Sequence, residues 1–219
     1  MKKNFLTLLS ISLIGIVLTS CSKSTKGKMA NDWKVTALEE TYDINYFDGG
    51  TGHSTRILDE TSFRVNVTET SPGGNPTTPS TTSGTVNVNE WHIEKDGAWT
   101  QTEEYVSTDG STETTSRIEQ SGTWNFLGKN KGDGFRKNER VIFNVLAKRE
   151  KTVQKNQGAV VSDNSTNLTF LTGERAIAYT IKESGNKELK LELEAERVTK
   201  QDSDVTSTLH KLSIVLKER

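Results

Sequence analysis

Cys21 is the only cysteine of the chain and therefore the only thiol available for covalent modification. It follows a positively charged start, Lys2 and Lys3, and an apolar run from Phe5 to Leu18, which together have the layout of a secretory signal peptide. The run is shorter than the roughly 20 apolar residues that a membrane span needs. Because an exported protein with one cysteine can form no internal disulfide, this thiol calls for another use.

The sequence Leu18-Thr19-Ser20-Cys21 resembles the lipobox of bacterial lipoproteins. The resemblance implies that the signal peptide, residues 1–20, is cut between Ser20 and Cys21. It also implies that Cys21 carries a diacylglycerol and a further acyl chain such as palmitate, and two or more chains anchor a protein stably. Residues 21–30 are small, basic and unpatterned, which predicts a lipidated flexible tether. The alternative is a plain secreted protein whose single cysteine follows its signal by chance.

Two features bear on location and partners. Residue 22 is serine rather than the aspartate that retains lipoproteins at the inner membrane in enteric-type sorting, and no acidic cluster marks the chain for surface export. We therefore expect a lipid-anchored protein of the bacterial outer membrane that faces the periplasm. Without residues 1–20 the chain loses two lysines, so its net charge falls from −1 to −3. A near-neutral balance gives nucleic-acid binding no electrostatic support.

The candidate binding residues are the four tryptophans, Trp33, Trp91, Trp99 and Trp124. Aromatic walls with a few polar groups are typical of ligand pockets. The alternative is that the tryptophans fill a modest core, since each buries roughly 150–250 Å². The sequence leaves both interpretations open, and we name the four as ligand-binding candidates.

No residue pattern predicts catalysis or a metal site. His53, His92 and His210 are far apart and in no metal-ligand spacing. The adjacent acids Glu39-Glu40 and Glu103-Glu104 are poor candidates for a paired acid and base, because adjacent side chains on a strand point to opposite faces. No serine lies in a Gly-x-Ser-x-Gly elbow. We expect no enzyme, no metal and no cofactor.

The elements that would position these residues are strands. Apolar residues alternate at Phe63–Val67, Leu189–Ala195 and Leu212–Leu216, among other places, with turn signals such as Asp96-Gly97 between the strands. Residues 69–84 hold all three prolines and predict a mobile loop, and the polar residues 148–167 predict mostly loop. Many short strands indicate a sandwich or a barrel, and the closing meander favours a barrel, which removes free edges. The predicted fold is all-β, a single antiparallel meander barrel of about eight to ten strands.

Residues 31–219 resemble the lipocalin-like, calycin-type domains of bacterial lipoproteins. The resemblance depends on the lipobox, on the early tryptophan strand Asn31–Val35, on Ser121–Phe126 and on the closing run of alternating leucines. It implies a lipocalin-like barrel that takes a small apolar or amphiphilic ligand at its open end. The alternative function is that of a structural or accessory envelope protein, which contacts protein or glycan partners and is not an enzyme.

Overall fold

The computed structural model describes residues 24–74, 79–129, 132, 138–201 and 204–219. The predicted signal peptide, its cleavage site at Ser20 and Cys21 and the lipid attachment at Cys21 therefore lie outside the described residues. So do residues 75–78 of the predicted 69–84 loop.

The described chain is one short helix followed by eleven strands. The bounds are α1 Thr25–Met29, β1 Asp32–Asn45, β2 Thr51–Asp59, β3 Ser62–Thr70, β4 Ser80–Ile93, β5 Ala98–Asp109, β6 Thr112–Gly128, β7 Glu139–Asn156, β8 Ala159–Thr169, β9 Ala176–Ser184, β10 Glu188–Gln201 and β11 Asp204–Glu218.

Ten of the strands close into an antiparallel barrel in the order β1–β2–β3–β4–β5–β6–β7–β9–β10–β11, and β11 pairs with β1 to complete the ring. Among the described strands, β8 pairs with β7 alone and is an additional strand beside the ring. This topology confirms the predicted all-β meander barrel. It is also consistent with a calycin-like fold.

The two ends of the barrel differ. We call the end that holds the start of β1, the end of β11 and the turns 94–97 and 185–187 the base, and the opposite end the mouth. Near the base the β2–β3 hairpin is too short to separate its neighbours, so β1 pairs directly with β4 at Trp33 and Trp91. Toward the mouth β8 takes the place of β9 beside β7, and residues 194–200 of β10 are all exposed. As far as the described residues show, the base is therefore closed and the mouth is open to water.

The apolar core fills the half of the barrel nearest the base. Val35, Leu191 and Leu216 are at most 1% exposed there, and α1 closes this end with Met29, which is fully buried. The indole Nε1 of Trp33 donates to the Met29 carbonyl oxygen at 2.8 Å. The span predicted as tether, residues 21–30, thus includes a described helix that packs on the core.

The predicted loop over residues 148–167 is wrong. These residues form the mouth half of β7 and most of β8, joined by a tight turn at Gln157 and Gly158, which both have positive φ. Backbone pairing holds them, and nearly all of β8 is exposed on both faces. Because both faces of this strand are exposed to water, its sequence lacks the alternation of apolar and polar residues from which strands are predicted.

One strand glycine marks a close backbone approach. Gly122 lies at a register shift between β6 and β7, and a Cβ there would overlap the backbone oxygen of Asn144. Glycine at this position lets β6 bend against β7, as strands of a small barrel must.

Candidate functional site in the barrel lumen

A cavity of about 390 Å³ lies inside the barrel, on top of the apolar core. Four aromatic residues of its wall pack against one another with ring centroids 5.0 to 6.2 Å apart: Trp91, Trp99, Phe143 and Tyr179. Most of these contacts are edge-to-face, the arrangement that aromatic rings prefer. The volume is at the lower end of the roughly 300–1,000 Å³ range of small-molecule pockets.

Charged residues line the cavity on the side of the mouth, with Arg56 at their centre. Its guanidinium lies 3.1 Å from the Glu103 carboxylate and 3.6 Å from that of Glu40, and it covers the Tyr105 ring at 4.8 Å. Burial by itself lowers the pKa of Arg56, but Glu103, Tyr105 and Glu40 outweigh burial and raise it. The guanidinium is therefore a fixed cation between two carboxylates.

The Glu40 carboxylate is held by two aromatic neighbours. Its Oε1 accepts from the Tyr42 hydroxyl at 2.9 Å and lies 3.0 Å from His210 Nε2. The two rings stack with centroids 4.2 Å apart. Burial and the Glu40 charge both raise the pKa of Tyr42, so its phenol stays protonated as a donor.

The Glu103 carboxylate is held in the same way from β4 and β5. Its Oε2 accepts from the Tyr105 hydroxyl at 2.7 Å, and its Oε1 accepts from Gln101 Nε2. Asn89 Nδ2 donates to the Tyr105 hydroxyl at 3.2 Å, which extends the chain of hydrogen bonds. Burial, with the Glu103 charge after it, raises the pKa of Tyr105. We call Glu40, Tyr42, Arg56, Gln101, Glu103, Tyr105 and His210 the polar belt.

The charge balance of this site disfavours anions. Arg56 is already shared by two carboxylates, and the other cation of the cavity wall, Lys148, is paired with Glu150. Among the described residues that line the cavity, the indole Nε1 of Trp91 is a buried donor with no hydrogen-bond partner. That nitrogen is itself closed off from solvent, and both cations named above are paired, so the described residues of the wall offer a bound molecule no free cation.

The structure divides the four predicted tryptophans into two pairs. Trp91 and Trp99 line the cavity. Trp33 and Trp124 lie in the closed base, where the Trp124 indole donates to the Glu94 carbonyl oxygen at 2.7 Å. Trp33 and Trp124 therefore do not line this cavity, because the close β1–β4 pairing draws the base shut around them, and ligand binding by these two also stays a prediction. Ligand binding by Trp91 and Trp99 stays a prediction.

The polar belt was missed by sequence reasoning, although its parts were visible. Adjacent acids do point to opposite faces, and the inward member of each pair meets Arg56 in the lumen. Glu40 lies beside Arg56 on the neighbouring strand, and Glu103 reaches it from β5. The sequence signal for the polar belt is a charged residue at a position where the alternation of a strand predicts an inward side chain.

Two histidine clusters lie outside the lumen. His53 Nδ1 is 2.6 Å from Asp43 Oδ1, and Thr55 Oγ1 is 2.9 Å from His53 Nε2, which is the order of orienting group, base and hydroxyl found in hydrolases. About half of the His53 side chain is exposed on the outer face of the barrel, whereas catalysis favours a site that excludes water. His92, at the base, is bonded to Asp32.

In the part of the chain that the structure describes, no group of three or more histidine, cysteine or acidic side chains is placed to hold a metal ion. None of the described residues belongs to a helix that is long and apolar enough to cross a membrane.

Comparison with known proteins finds no match: no family model, no curated protein and no solved structure is significantly similar to this chain. The class of protein is therefore defined by its fold and its site. It is a closed antiparallel β-barrel with a partly apolar, partly charged cavity in its lumen that could bind a ligand.

Proposed function

We propose that this chain is a lipid-anchored protein of the bacterial envelope whose barrel binds a small amphiphilic ligand. The observation that carries the proposal is the cavity of about 390 Å³, in which an aromatic wall meets the polar belt. A mostly apolar pocket with a few placed polar groups is the usual form of a small-molecule site. The apolar part of the ligand would lie against Trp91 and Trp99, and its polar part would reach the belt.

The chemistry of the belt favours an uncharged or cationic ligand over an anionic one. An anion would enter beside Glu40 and Glu103 without a free cation to pair with, and desolvating an unpaired charge is costly. A hydroxyl or amine at the polar end could exchange hydrogen bonds with the carboxylates.

The anchor is supported by the sequence alone. Cys21 follows a signal-like segment, completes a lipobox-like sequence and is the only cysteine. Diacylglycerol on its sulfur and an acyl chain on its amino group would hold the barrel at a membrane. The outer membrane, with the protein on the periplasmic side, is the location that residue 22 and the missing acidic cluster favour.

A second function, that of a structural or accessory envelope protein, is favoured by the strand β8. Val160 and Val161 are 60% and 61% exposed on this strand, and Leu171 just beyond it is 78% exposed. Exposed apolar side chains beside an unpaired strand edge are features of surfaces that bind other chains. This role and ligand binding use different parts of the molecule.

A titration with three ligands of equal chain length tests the first function. The unlipidated mature chain, residues 21–219 with Cys21→Ser, is titrated with lauryl alcohol, laurylamine and laurate at neutral pH while tryptophan fluorescence is recorded. We expect the alcohol and the amine to bind more tightly than laurate. The change in tryptophan fluorescence on binding should be smaller in Trp91→Phe and unaltered in Trp124→Phe. Binding of none of the three would reject the binding function, and tightest binding of laurate would reject the charge argument.

A further inference from the structure

The first described residues are fixed to the base of the barrel. Ser24 caps α1, with its hydroxyl accepting from Gly27 N at 3.3 Å, and its carbonyl oxygen accepts from Lys28 N at 3.0 Å. Lys28 Nζ donates to the carbonyl oxygen of Ser184, the last residue of β9. Met29 is fully buried in the core. The first described residues therefore join the barrel at its base.

The reach of the segment between Cys21 and Ser24 is short. Three residues at full extension span at most about 11 Å. The strand β11 has 15 residues, and at a tilt of about 40° such a strand covers roughly 35 Å along the barrel axis. A lipid on Cys21 can thus lie close to the base but cannot reach the mouth.

The connections at the two ends also differ in charge. The described connections on the base side carry five lysines and three acids: Lys26, Lys28, Lys95, Lys129 and Lys187 against Glu60, Glu94 and Asp96. All of these lysines except Lys28 are exposed. The described turns at the mouth carry one acid, Asp48, and no lysine or arginine. A lysine near an anionic bilayer contributes about 1 kcal/mol of attraction, so the base suits anionic headgroups and the mouth does not.

We infer that the anchored protein stands with its base on an anionic lipid surface and its mouth toward the aqueous phase. The inference rests on the lipid anchor of the proposed function. Its consequence is that ligand enters the lumen from the aqueous side, and not sideways from the bilayer that holds the protein. The exposed edge of β8 is likewise presented away from that bilayer.

The test uses the full chain, extracted from membranes and reconstituted in vesicles of phosphatidylethanolamine and phosphatidylglycerol. An acylated Cys21 has no free thiol, so one introduced cysteine can be labelled alone with a fluorophore. Asn186→Cys places the label in the exposed β9–β10 turn at the base, and Ser111→Cys places it in the exposed β5–β6 turn at the mouth. Both variants should keep the wild-type thermal unfolding temperature, because both positions are in exposed turns.

Lipids with a nitroxide on the headgroup are then added as the quencher. We expect loss of fluorescence from the Asn186→Cys label and none from the Ser111→Cys label. Equal quenching of the two labels, or stronger quenching at the mouth, would overturn the orientation. The mass of the N-terminal peptide separates the two ideas. If the diacylglycerol mass is present and quenching is equal, only the orientation fails, and if that mass is absent, the anchor fails and the orientation with it.

Discussion

Arg56 is the residue whose removal should reveal the polar belt most clearly. The Arg56→Met variant leaves two carboxylates facing each other across the lumen, and the Glu40 and Glu103 side chains are only 14% and 9% exposed. Removing one partner of a buried ion pair costs about 3–5 kcal/mol, because an uncompensated charge stays behind. Arg56 itself is 24% exposed, which places the cost at the lower end, about 3 kcal/mol.

The assay is thermal and urea unfolding at neutral pH. For a chain of this length a loss of about 3 kcal/mol lowers the Tm by roughly 6–12 °C. The loss should be smaller in a triple variant that adds Glu40→Gln and Glu103→Gln, because that variant leaves no unpaired charge in the lumen.

Arg117→Met is the matched control for this prediction. Arg117 also contacts two carboxylates, those of Glu104 and Glu119, but its side chain is 40% exposed on the outer surface. Exposed ion pairs contribute about 0–1 kcal/mol, so the control should change stability little. If the two arginine variants lose the same stability at neutral pH, the belt is not a desolvated charge cluster and the reasoning is refuted.

Three further predictions concern the frame around the site. Gly122→Ala forces a Cβ onto a backbone oxygen and should lower the free energy of unfolding by about 1–3 kcal/mol or more. In Gly185→Ala the Cβ meets an ordinary contact at 3.4 Å, so the loss should be far smaller. Equal losses of stability in urea unfolding would contradict the close approach at Gly122. Met29→Ala should lower the free energy of unfolding by about 2–5 kcal/mol, whereas Lys26→Ala, at an exposed position of the same helix, should change it very little. A Met29→Ala variant as stable as the wild type would show that α1 is not part of the fold. The hydrogen bond that His92 donates to Asp32 raises the pKa of His92. Protonated His92 therefore stabilises the fold fully below its unfolded pKa of about 6.5, and this contribution is lost as the pH rises through the raised pKa. The stability difference between wild type and His92→Gln should therefore shrink from pH 5.5 to pH 9, and a difference that stays constant would exclude the linkage.

The parts of the fold that could be predicted from the sequence are those with one wet and one dry face. The leucines of β10 alternate with charged residues, and Leu212, Ile214 and Leu216 of β11 share one face, so the register of the two strands follows from burial. The mouth half of β7 and the whole of β8 could not be found in this way. Both of their faces meet water, and only backbone pairing to strands far along the chain makes them strands.

The site was predictable in its apolar half and hidden in its polar half. Tryptophans at inward positions suggested a pocket, and Trp91 and Trp99 line it. Whether a tryptophan faces the cavity or the base depends on where the β2–β3 hairpin ends, which a sequence pattern does not reveal. The belt joins Arg56 to Glu103, 47 residues away, and Glu40 to His210, 170 residues away. Contacts over such separations follow from closure of the ring and not from local spacing.

Native mass spectrometry would show directly whether the lumen holds a ligand, because a bound ligand adds its mass to that of the protein. The mature chain, residues 21–219 with Cys21→Ser, is isolated from the periplasm and compared with two variants. Ile118→Trp fills part of the cavity, and Glu119→Trp adds the same side chain on the outer face of β6. We expect the wild type and Glu119→Trp to show an additional mass that leaves on mild activation, and Ile118→Trp to show less of it. A bare protein mass in all three, unchanged after incubation with lauryl alcohol and laurylamine, would contradict ligand binding in the lumen.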